Sequence, residues 1–313
     1  MTGSEGLTAA VRALNADGSG WVLGERLAGG VQSGAWRLDG PGGSTAVLKV
    51  AQTADWSAQV LRAAEAVRAV RRGGYPTPDW LATGTTASGL AYQVQDFVPG
   101  RSIEVVDRSC AEALVQVIEQ QHGLDPDPDR CWNDHLAVER RRGIDRFRAA
   151  TDIGGGSGSA LIDRCRELAV EAEQVDWPRR DMVHGDFRPA NVLVDRSGIP
   201  GDVTVTAVVD IEAIGSGTRA FDYATLLTAP RIEPDAFELI VRAGSASAPV
   251  EVFRACVSHV FLDLVRFIAR VPGVADSDRD RERRRVDTIR QLAARADRIA
   301  TATSPGTIRV SSC

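Results

Sequence analysis

Residues 184–191 read His-Gly-Asp-Phe-Arg-Pro-Ala-Asn, and an apolar run follows them directly. A second apolar run, residues 203–209, leads into Asp210. Asp186 and Asn191 thus share a tight loop, and another aspartate lies at the end of a predicted strand. A phosphoryl-transfer site uses these groups, one Asp to orient the attacking hydroxyl and an Asn and an Asp to bind Mg²⁺. Because three polar residues can take this spacing by chance, the hypothesis depends on the rest of the chain.

Length and composition are those of a folded protein with two lobes or domains. The chain has 313 residues, of which 43% are hydrophobic and 25% charged, and this length suffices for two substantial cores. A net charge of −5 and a pI near 5.5 argue against a protein that binds nucleic acid by neutralising its phosphates. We therefore expect no nucleic-acid partner.

The sequence shows no sign of secretion or membrane insertion. Residues 1–10 lack a basic region followed by an apolar core, and no apolar run approaches the roughly 20 residues of a membrane span. The cysteines are scattered and odd in number, which is typical of reduced thiols; they are Cys110, Cys131, Cys165, Cys256 and Cys313. We expect a cytoplasmic protein with no membrane partner, a monomer or alternatively a dimer.

Lys49 is the single lysine of the chain, since the other members of the 37 Lys and Arg residues are all arginines. One position thus favours the compact ammonium over the planar guanidinium. Lys49 lies in the alternating apolar run 45–50, which predicts a strand. An inward-pointing lysine on such a strand can contact nucleotide phosphates as a point charge. The alternative is a surface lysine.

Glu65 is the candidate partner of Lys49. Residues 55–72 show apolar residues at helical spacing, Gly73-Gly74 closes this predicted helix, and Glu65 is the one acid in its interior. Because a buried ammonium needs a carboxylate, we predict a Lys49–Glu65 ion pair. The alternative is an exposed Glu65 paired with Arg62 or Arg68 on the helix surface.

A small-residue turn between two predicted strands precedes Lys49, in residues 27–38. Its glycines let backbone N–H groups approach anionic oxygens closely. No Gly-Lys-Ser/Thr follows, so the turn is not a Walker A loop. Its position just before the lysine strand predicts a phosphate-covering loop, with Gly30, Ser33 and Gly34 as contacts.

A strand predicted over residues 89–97 leads into Val-Pro-Gly. Such a segment is typical of an interlobe hinge, where backbone groups around Gln95 to Phe97 hydrogen-bond an adenine edge. The alternative is a strand followed by an ordinary turn.

After Gly100 the apolar periodicity becomes helical. The predicted helices are 109–122, 133–149, 159–175, 218–229, 249–270 and 279–300, around one short β insertion. The Gly-rich residues 154–158 predict a flexible loop between two of these helices. In residues 257–271, Asp263 and Arg266 interrupt an apolar face. Asp263 either faces the site and holds a substrate ammonium or pairs with Arg266 or Arg270.

The order and spacing of these segments resemble the aminoglycoside phosphotransferase family, relatives of the protein kinases. The matched pieces cover about 190 residues; they are the loop 29–34, Lys49, Glu65, the hinge 95–100, His184–Asn191, Asp210 and Phe221-Asp222. The resemblance implies an α+β, bilobal, protein-kinase-like fold. Residues 1–98 would form a β-rich, nucleotide-binding N-lobe, residues 99–313 a mostly helical C-lobe, with ATP or GTP and Mg²⁺ in the cleft between them.

The resemblance also implies residue roles. Asp186 becomes the catalytic base, Asn191 and Asp210 become Mg²⁺ ligands, and Lys49 becomes the phosphate anchor held by Glu65. Two further residues, His184 and Asp222, match positions that brace the catalytic loop.

Two positions depart from the pattern of relatives. Arg188 stands where the family often has His or Lys, and a contact with the γ-phosphate there would stabilise the transferring group. Asp210 is followed by Ile211-Glu212 instead of the Phe-Gly of protein kinases, so Glu212 is a candidate for the metal shell or the substrate site. With no activation-loop segment in the sequence, we expect a small-molecule substrate.

Residues 28–36 and 184–194 look most similar to phosphotransferases that inactivate viomycin and capreomycin. The resemblance implies an ATP-dependent transfer to a hydroxyl of a small cationic antibiotic. The alternatives are an aminoglycoside phosphotransferase, a metabolic kinase for homoserine, choline, fructosamine or a sugar, and a catalytically inactive nucleotide-binding module. The intact candidate residues argue against the last.

Overall fold

The computed structural model describes residues 3–27, 34–143, 147, 149–196, 201–270 and 278–304. Its contacts divide the chain into two compact units. The first comprises Met1–Ile103 and Ala190–Gly215, and the second comprises Glu104–Pro189 and Ser216–Cys313. The sequence predicted one domain boundary, between residues 98 and 99, whereas by contacts residues 99–103 and 190–215 also belong with the amino-terminal residues.

The first unit contains a five-stranded antiparallel sheet with strand order β1-β2-β3-β5-β4. Its strands are β1 (Val22–Arg26), β2 (Trp36–Asp39), β3 (Thr45–Val50), β4 (Trp80–Thr85) and β5 (Ala91–Asp96). A second sheet has the order β6-β8-β9, with β6 (Arg101–Ser102), β8 (Val192–Asp195) and β9 (Thr204–Val208). Two helices complete the unit, α1 (Gly3–Leu14) and α2 (Ala54–Arg72).

The large sheet has two chemically different faces because side chains alternate along each strand. On one face Leu48 and Val94 pack into an apolar cluster with Leu7 of α1. On the other face Lys49 pairs in register with Gln93 of β5. The strand and the helix predicted around residues 45–72 are confirmed, and α1 was not predicted.

The second unit is mostly helical. Its helices are α3 (Arg108–Glu119), α4 (Trp132–Arg141), α5 (Ala149–Gly154), α6 (Gly156–Ala169), α7 (Ala220–Leu226), α8 (Pro234–Ala246), α9 (Val250–Arg270) and α10 (Asp278–Ala302). A short strand β7 (Asp181–Val183) pairs with β10 (Gly215–Gly217). The antiparallel sheets and this helical unit confirm the α+β class. Within the described residues, every helix is too short or too polar to cross a bilayer.

The predicted flexible loop at residues 154–158 was wrong. Helix α5 ends at Gly154 and α6 begins at Gly156, so Gly155, with φ of 53°, alone separates them. Gly158 serves packing, because a Cβ there would lie 1.9 Å from the backbone oxygen of Ala150. The glycines therefore permit a sharp turn and a close helix pair.

Candidate active site

Lys49 lies at the centre of a buried polar cluster in the first unit. Its side chain is on the face of the sheet opposite the apolar cluster of Leu48 and Val94, and the residue is only 7% exposed. The Lys49 Nζ donates hydrogen bonds to Asp210 Oδ1 and, at 3.0 Å, to Glu212 Oε1. Gln93, its neighbour across the strands, donates its Nε2 to the same Glu212 oxygen. Two carboxylates thus compensate the buried ammonium.

The predicted Lys49–Glu65 ion pair does not occur among the described contacts. Glu65 is exposed on α2, because Ala63, Ala64, Ala66 and Val67 take the buried side of the helix there. Glu212 occupies the partner position instead. Its predicted role as a substrate contact also differs from its environment, since it is 6% exposed and already accepts from two donors.

The protonation of Lys49 is secured by its neighbours. Burial alone would lower the pKa of the ammonium, but the charges and hydrogen bonds of Glu212 and Asp210 outweigh burial and raise the pKa above its usual value. Lys49 therefore stays charged at physiological pH and is suited to contact anionic oxygens.

Asn191 and Asp210 are placed side by side by backbone pairing in the second sheet. The Val209 N–H donates to the Asn191 carbonyl at 2.8 Å, just where β9 ends and β8 begins. Asp210 itself has left-handed backbone geometry, with φ of 61°, which is uncommon for a residue other than glycine. This backbone conformation lets the Asp210 carboxylate reach Lys49. The apolar periodicity of the preceding strand does not predict it.

Lys49, Asn191 and Asp210 line one cavity of about 250 Å³ within the first unit. Amide and carboxylate oxygens are the ligands that Mg²⁺ prefers, and it usually binds through one or two such groups together with phosphates. The donor set fits this ion, and the described residues contain no cluster of three or more His, Cys, Asp or Glu that would form an all-protein site.

The same cavity includes most of the predicted nucleotide-contacting segments. Gln95 and Phe97 line it, together with the apolar side chains Leu27, Ala35, Val47 and Leu193. An apolar slot with a few polar groups is typical of a ligand site. Gly30 and Ser33 of the predicted phosphate-covering loop lie outside the described residues. Gly34 lies beside the Arg26 side chain.

The catalytic-loop candidates lie in the second unit. Arg188 binds both oxygens of Asp186, with Nε to Oδ1 at 2.6 Å and Nη2 to Oδ2 at 2.7 Å. The backbone N–H of Asp186 donates to His184 Nδ1 at 3.2 Å. His184 is fully buried, so it orients the loop and has no access to a substrate.

Asp222 of α7 braces this loop, as the resemblance implied. Its carboxylate accepts the backbone N–H groups of His184 at 2.7 Å and Gly185 at 3.0 Å. Burial raises the pKa of Asp222 to about 6, although His184 and the donated hydrogen bonds lower it in part. The loop is thus tied to α7 through a fully buried acid.

A second ion network, which the sequence did not predict, supports the same region. Arg219, directly before α7, donates to Asp181 of β7 at 2.9 Å and to Glu119 of α3 at 3.0 Å. Tyr223 donates its hydroxyl to Glu119 at 2.7 Å. These partners are up to 104 positions apart in the chain, so no local sequence pattern predicts the network.

Asp186 and Asp263 line one cavity of about 140 Å³ within the second unit. Its wall combines apolar side chains with hydroxyl groups; it includes Phe221, Leu264, Phe267, Thr225, Thr228 and His259. Asp263 also accepts a hydrogen bond from Arg266, which is the ion-pair alternative, while its contact with a substrate ammonium stays a prediction. Sequence reasoning passed over the two threonines and His259, because nothing in their spacing distinguishes them.

Comparison with known proteins identifies the class. A model described as the phosphotransferase enzyme family matches residues 24–255, which is most of the chain. The chain belongs to this family. A comparison with curated protein sequences finds no significant match.

Solved structures share the fold at low identity. The GDP complex of aminoglycoside 2'-phosphotransferase-IIIa has a TM-score of 0.63 and 15% identity, covering 94% of this chain and 99% of that one. The ternary complex of aminoglycoside phosphotransferase APH(4)-Ia with ADP and hygromycin B has a TM-score of 0.57 and 19% identity, covering 90% and 94%. The complex of amicoumacin kinase hAmiN with AMP-PNP, Ca²⁺ and its antibiotic has a TM-score of 0.57 and 13% identity, covering 86% and 87%. These similarities confirm the predicted kinase-like fold.

Proposed function

We propose that this chain is an ATP-dependent O-phosphotransferase that modifies a hydroxyl of a small cationic antibiotic. The observation that carries the proposal is the shared cavity of Asp186 and Asp263, which offers a base for a hydroxyl and a carboxylate for an ammonium. Family membership supports the reaction class. The neighbours solved in complex with hygromycin B and with Ami, the latter an amicoumacin kinase, support an antibiotic as acceptor.

For the acceptor we propose a tuberactinomycin peptide such as capreomycin or viomycin. The support is the resemblance of residues 28–36 and 184–194 to the enzymes that inactivate those drugs. Acidic Asp263 suits their positive charge, and Phe221 and Phe267 offer a cyclic peptide an apolar wall. An added phosphate would bring nearly two negative charges to a drug whose binding to RNA depends on positive charge.

The nucleotide half of the proposal uses the cavity of the first unit. Lys49 would contact phosphate oxygens, and Gln95 to Phe97 would contact the base, with Gly30, Ser33 and Gly34 covering the phosphates. Mg²⁺ held by Asn191 and Asp210 would supply neutralising charge for the β- and γ-oxygens. ATP is the first candidate, and GTP is the second because a neighbour was solved with GDP.

In this proposal the acceptor hydroxyl oxygen forms a bond to the γ-phosphorus while the bond from that phosphorus to the β–γ bridging oxygen breaks. The hydroxyl proton passes to an Asp186 carboxylate oxygen, and the leaving electron pair stays on the β-phosphate of ADP. Arg188 would turn from Asp186 to the transferring phosphoryl group. The products are the phosphorylated antibiotic, ADP and a proton that Asp186 returns to water.

An acceptor panel tests the proposal by ADP release. We expect turnover with capreomycin or viomycin, and at least ~100-fold less in Asp186→Ala, with unchanged nucleotide binding by calorimetry. Asp129→Ala, which changes an exposed acid of the same unit, is the matched control.

Other results of the panel separate the rival functions. Turnover of choline, homoserine, fructosamine or a sugar, with every antibiotic inert, would assign a metabolic kinase. Nucleotide binding without turnover of any acceptor would assign a binding module.

A further inference from the structure

We propose that Glu212, and not an acid on helix α2, is the residue that positions Lys49 for phosphate. The inference rests on the proposed nucleotide site and adds a positioning residue to it. Its basis is the pair of carboxylates that Lys49 contacts, Glu212 at 3.0 Å and Asp210, with Glu65 exposed on α2.

The two partners of Lys49 differ in what else they can do. The side chain of Asp210 is 37% exposed, opens onto the cavity and has a competing role as the proposed metal ligand. The Glu212 side chain is 8% exposed, and its oxygen is shared by Lys49 and Gln93. A buried ammonium left without a carboxylate partner strongly destabilises the folded protein. Glu212 is therefore the partner that stays when Asp210 turns to another ligand.

Gln93 shows that the cluster is arranged around Glu212. Its Nε2 donates to Glu212, whereas its Oε1 is buried without a hydrogen-bond partner among the described residues. Leaving a buried amide oxygen unsatisfied is unfavourable, because the oxygen loses its hydrogen bonds to water without gaining another. If the Gln93 amide were flipped, its Oε1 would face the Glu212 carboxylate oxygen, and both atoms are acceptors. The hydrogen bond to Glu212 therefore determines the orientation of the Gln93 amide.

Helix α2 supports Glu212 without carrying the acid. Glu212 lies in the short helical turn Ile211–Ala213, which packs against α2. Arg62 of α2 donates to the Ile214 carbonyl at 3.1 Å, and Ile211 is buried. The lysine, its partner and a proposed metal ligand thus belong to one compact unit, and Lys49 has two carboxylate partners with Glu65 turned to solvent.

The single lysine allows a direct test. An amine-reactive probe modifies Lys49 and the chain's amino terminus only, and mass spectrometry separates the two sites. We expect Glu212→Gln to accelerate Lys49 modification about tenfold or more, because the Lys49 Nζ loses the charge-assisted hydrogen bond that holds it against a buried carboxylate. Glu65→Gln, the matched control, should leave the rate unchanged. Asp210→Asn should change it less than Glu212→Gln.

Kinetics provide the second readout. We expect Glu212→Gln to lower kcat about 10- to 100-fold with a smaller change in KM for ATP, Glu212→Asp to recover part of this loss, and Glu65→Gln to resemble wild type. If Glu212→Gln does not fold, Gln93→Leu should give the same pattern at smaller amplitude. Equal modification rates in Glu212→Gln and wild type, or a larger effect of Glu65→Gln, would overturn the inference.

The two proposals can fail separately. A wild-type protein that neither binds ATP nor turns over any acceptor refutes the nucleotide site. In that protein the modification rates of Lys49 still show which carboxylate holds the lysine.

Discussion

Arg188 holds both carboxylate oxygens of Asp186, two positions away, by hydrogen bonds of 2.6 and 2.7 Å. This fork geometry is specific to arginine, because the guanidinium presents two parallel N–H donors. In the proposed reaction at least one of these oxygens has to accept the acceptor hydroxyl. Arg188 therefore competes with the acceptor for Asp186 and is a candidate ligand of the transferring phosphoryl group.

Substitution of Arg188 should separate these two roles. We expect Arg188→Ala to lower kcat about 10- to 100-fold, because charge on the transferring group is less stabilised, and to leave KM for the acceptor unchanged or lower. The kcat of Arg188→Lys should lie between those of the wild type and Arg188→Ala, since an ammonium keeps the positive charge but lacks the two parallel N–H donors. Steady-state kinetics with each substrate varied provide the measurement. A raised acceptor KM with normal kcat would instead make Arg188 part of the acceptor site.

Asp263 should act on acceptor binding alone. We expect Asp263→Asn to raise KM for a cationic acceptor about tenfold, with little change in kcat or in KM for ATP, because a carboxylate–ammonium contact is formed before and during transfer. Neutral acceptors should be unaffected. Asp287→Asn is the matched control, since Asp287 forms the same i,i+3 pair with an arginine on another helix. Equal effects of the two substitutions would remove Asp263 from the acceptor site.

How much of the site the sequence predicts depends on how local each signal is. The strand of Lys49 follows from alternation over six residues, and the absence of any other lysine singles it out. The partner of Lys49 could not be found this way. Glu65 is the one acid in the interior of the following helix, but its helical phase turns it outward. Glu212 lies 163 positions after Lys49, and the packing of its turn against α2 helps to bring it to the lysine.

Backbone geometry limits the prediction in the same way. The apolar run before Asp210 predicts a strand end, yet nothing in it predicts the left-handed conformation that turns the carboxylate back toward Lys49. The glycines at 154–158 predict flexibility by composition, whereas two of them meet the steric demands of a helix pair. These steric requirements depend on residues that are close in space, and hydrophobic periodicity carries no information about such residues.

Gly185 of the catalytic loop should not tolerate a side chain. Its φ is 85°, and a Cβ would lie 2.3 Å from the ring of Trp132. We expect Gly185→Ala to lower the free energy of unfolding by about 2–4 kcal/mol, from backbone strain and overlap, and to reduce turnover. Gly123→Ala is the control, because Gly123 has φ of 71° but open space around its Cβ position. Gly123→Ala should lower the free energy of unfolding by only about 1–2 kcal/mol. Urea denaturation of both variants measures the difference.

Asp222 should make stability depend on pH in an unusual direction for a carboxyl. Its folded pKa of about 6 lies above the ordinary value of 3.8 because the group is buried. The folded protein therefore binds the proton more tightly than the unfolded chain. The resulting stabilisation is complete below about pH 4, falls as the pH rises through 6 and stays lost above it.

The substitution Asp222→Asn removes this titration while keeping the shape of the side chain. We expect the stability advantage of the wild type over Asp222→Asn to shrink by roughly 2 kcal/mol between about pH 4 and pH 7. Urea denaturation at several pH values measures this difference, and the titrations shared by both proteins cancel in it. An advantage that grows with pH would show that the hydrogen bonds from His184 and Gly185 favour the ionised carboxylate more than burial disfavours it. In that case Asp222 would brace the catalytic loop as a charged acceptor at every physiological pH.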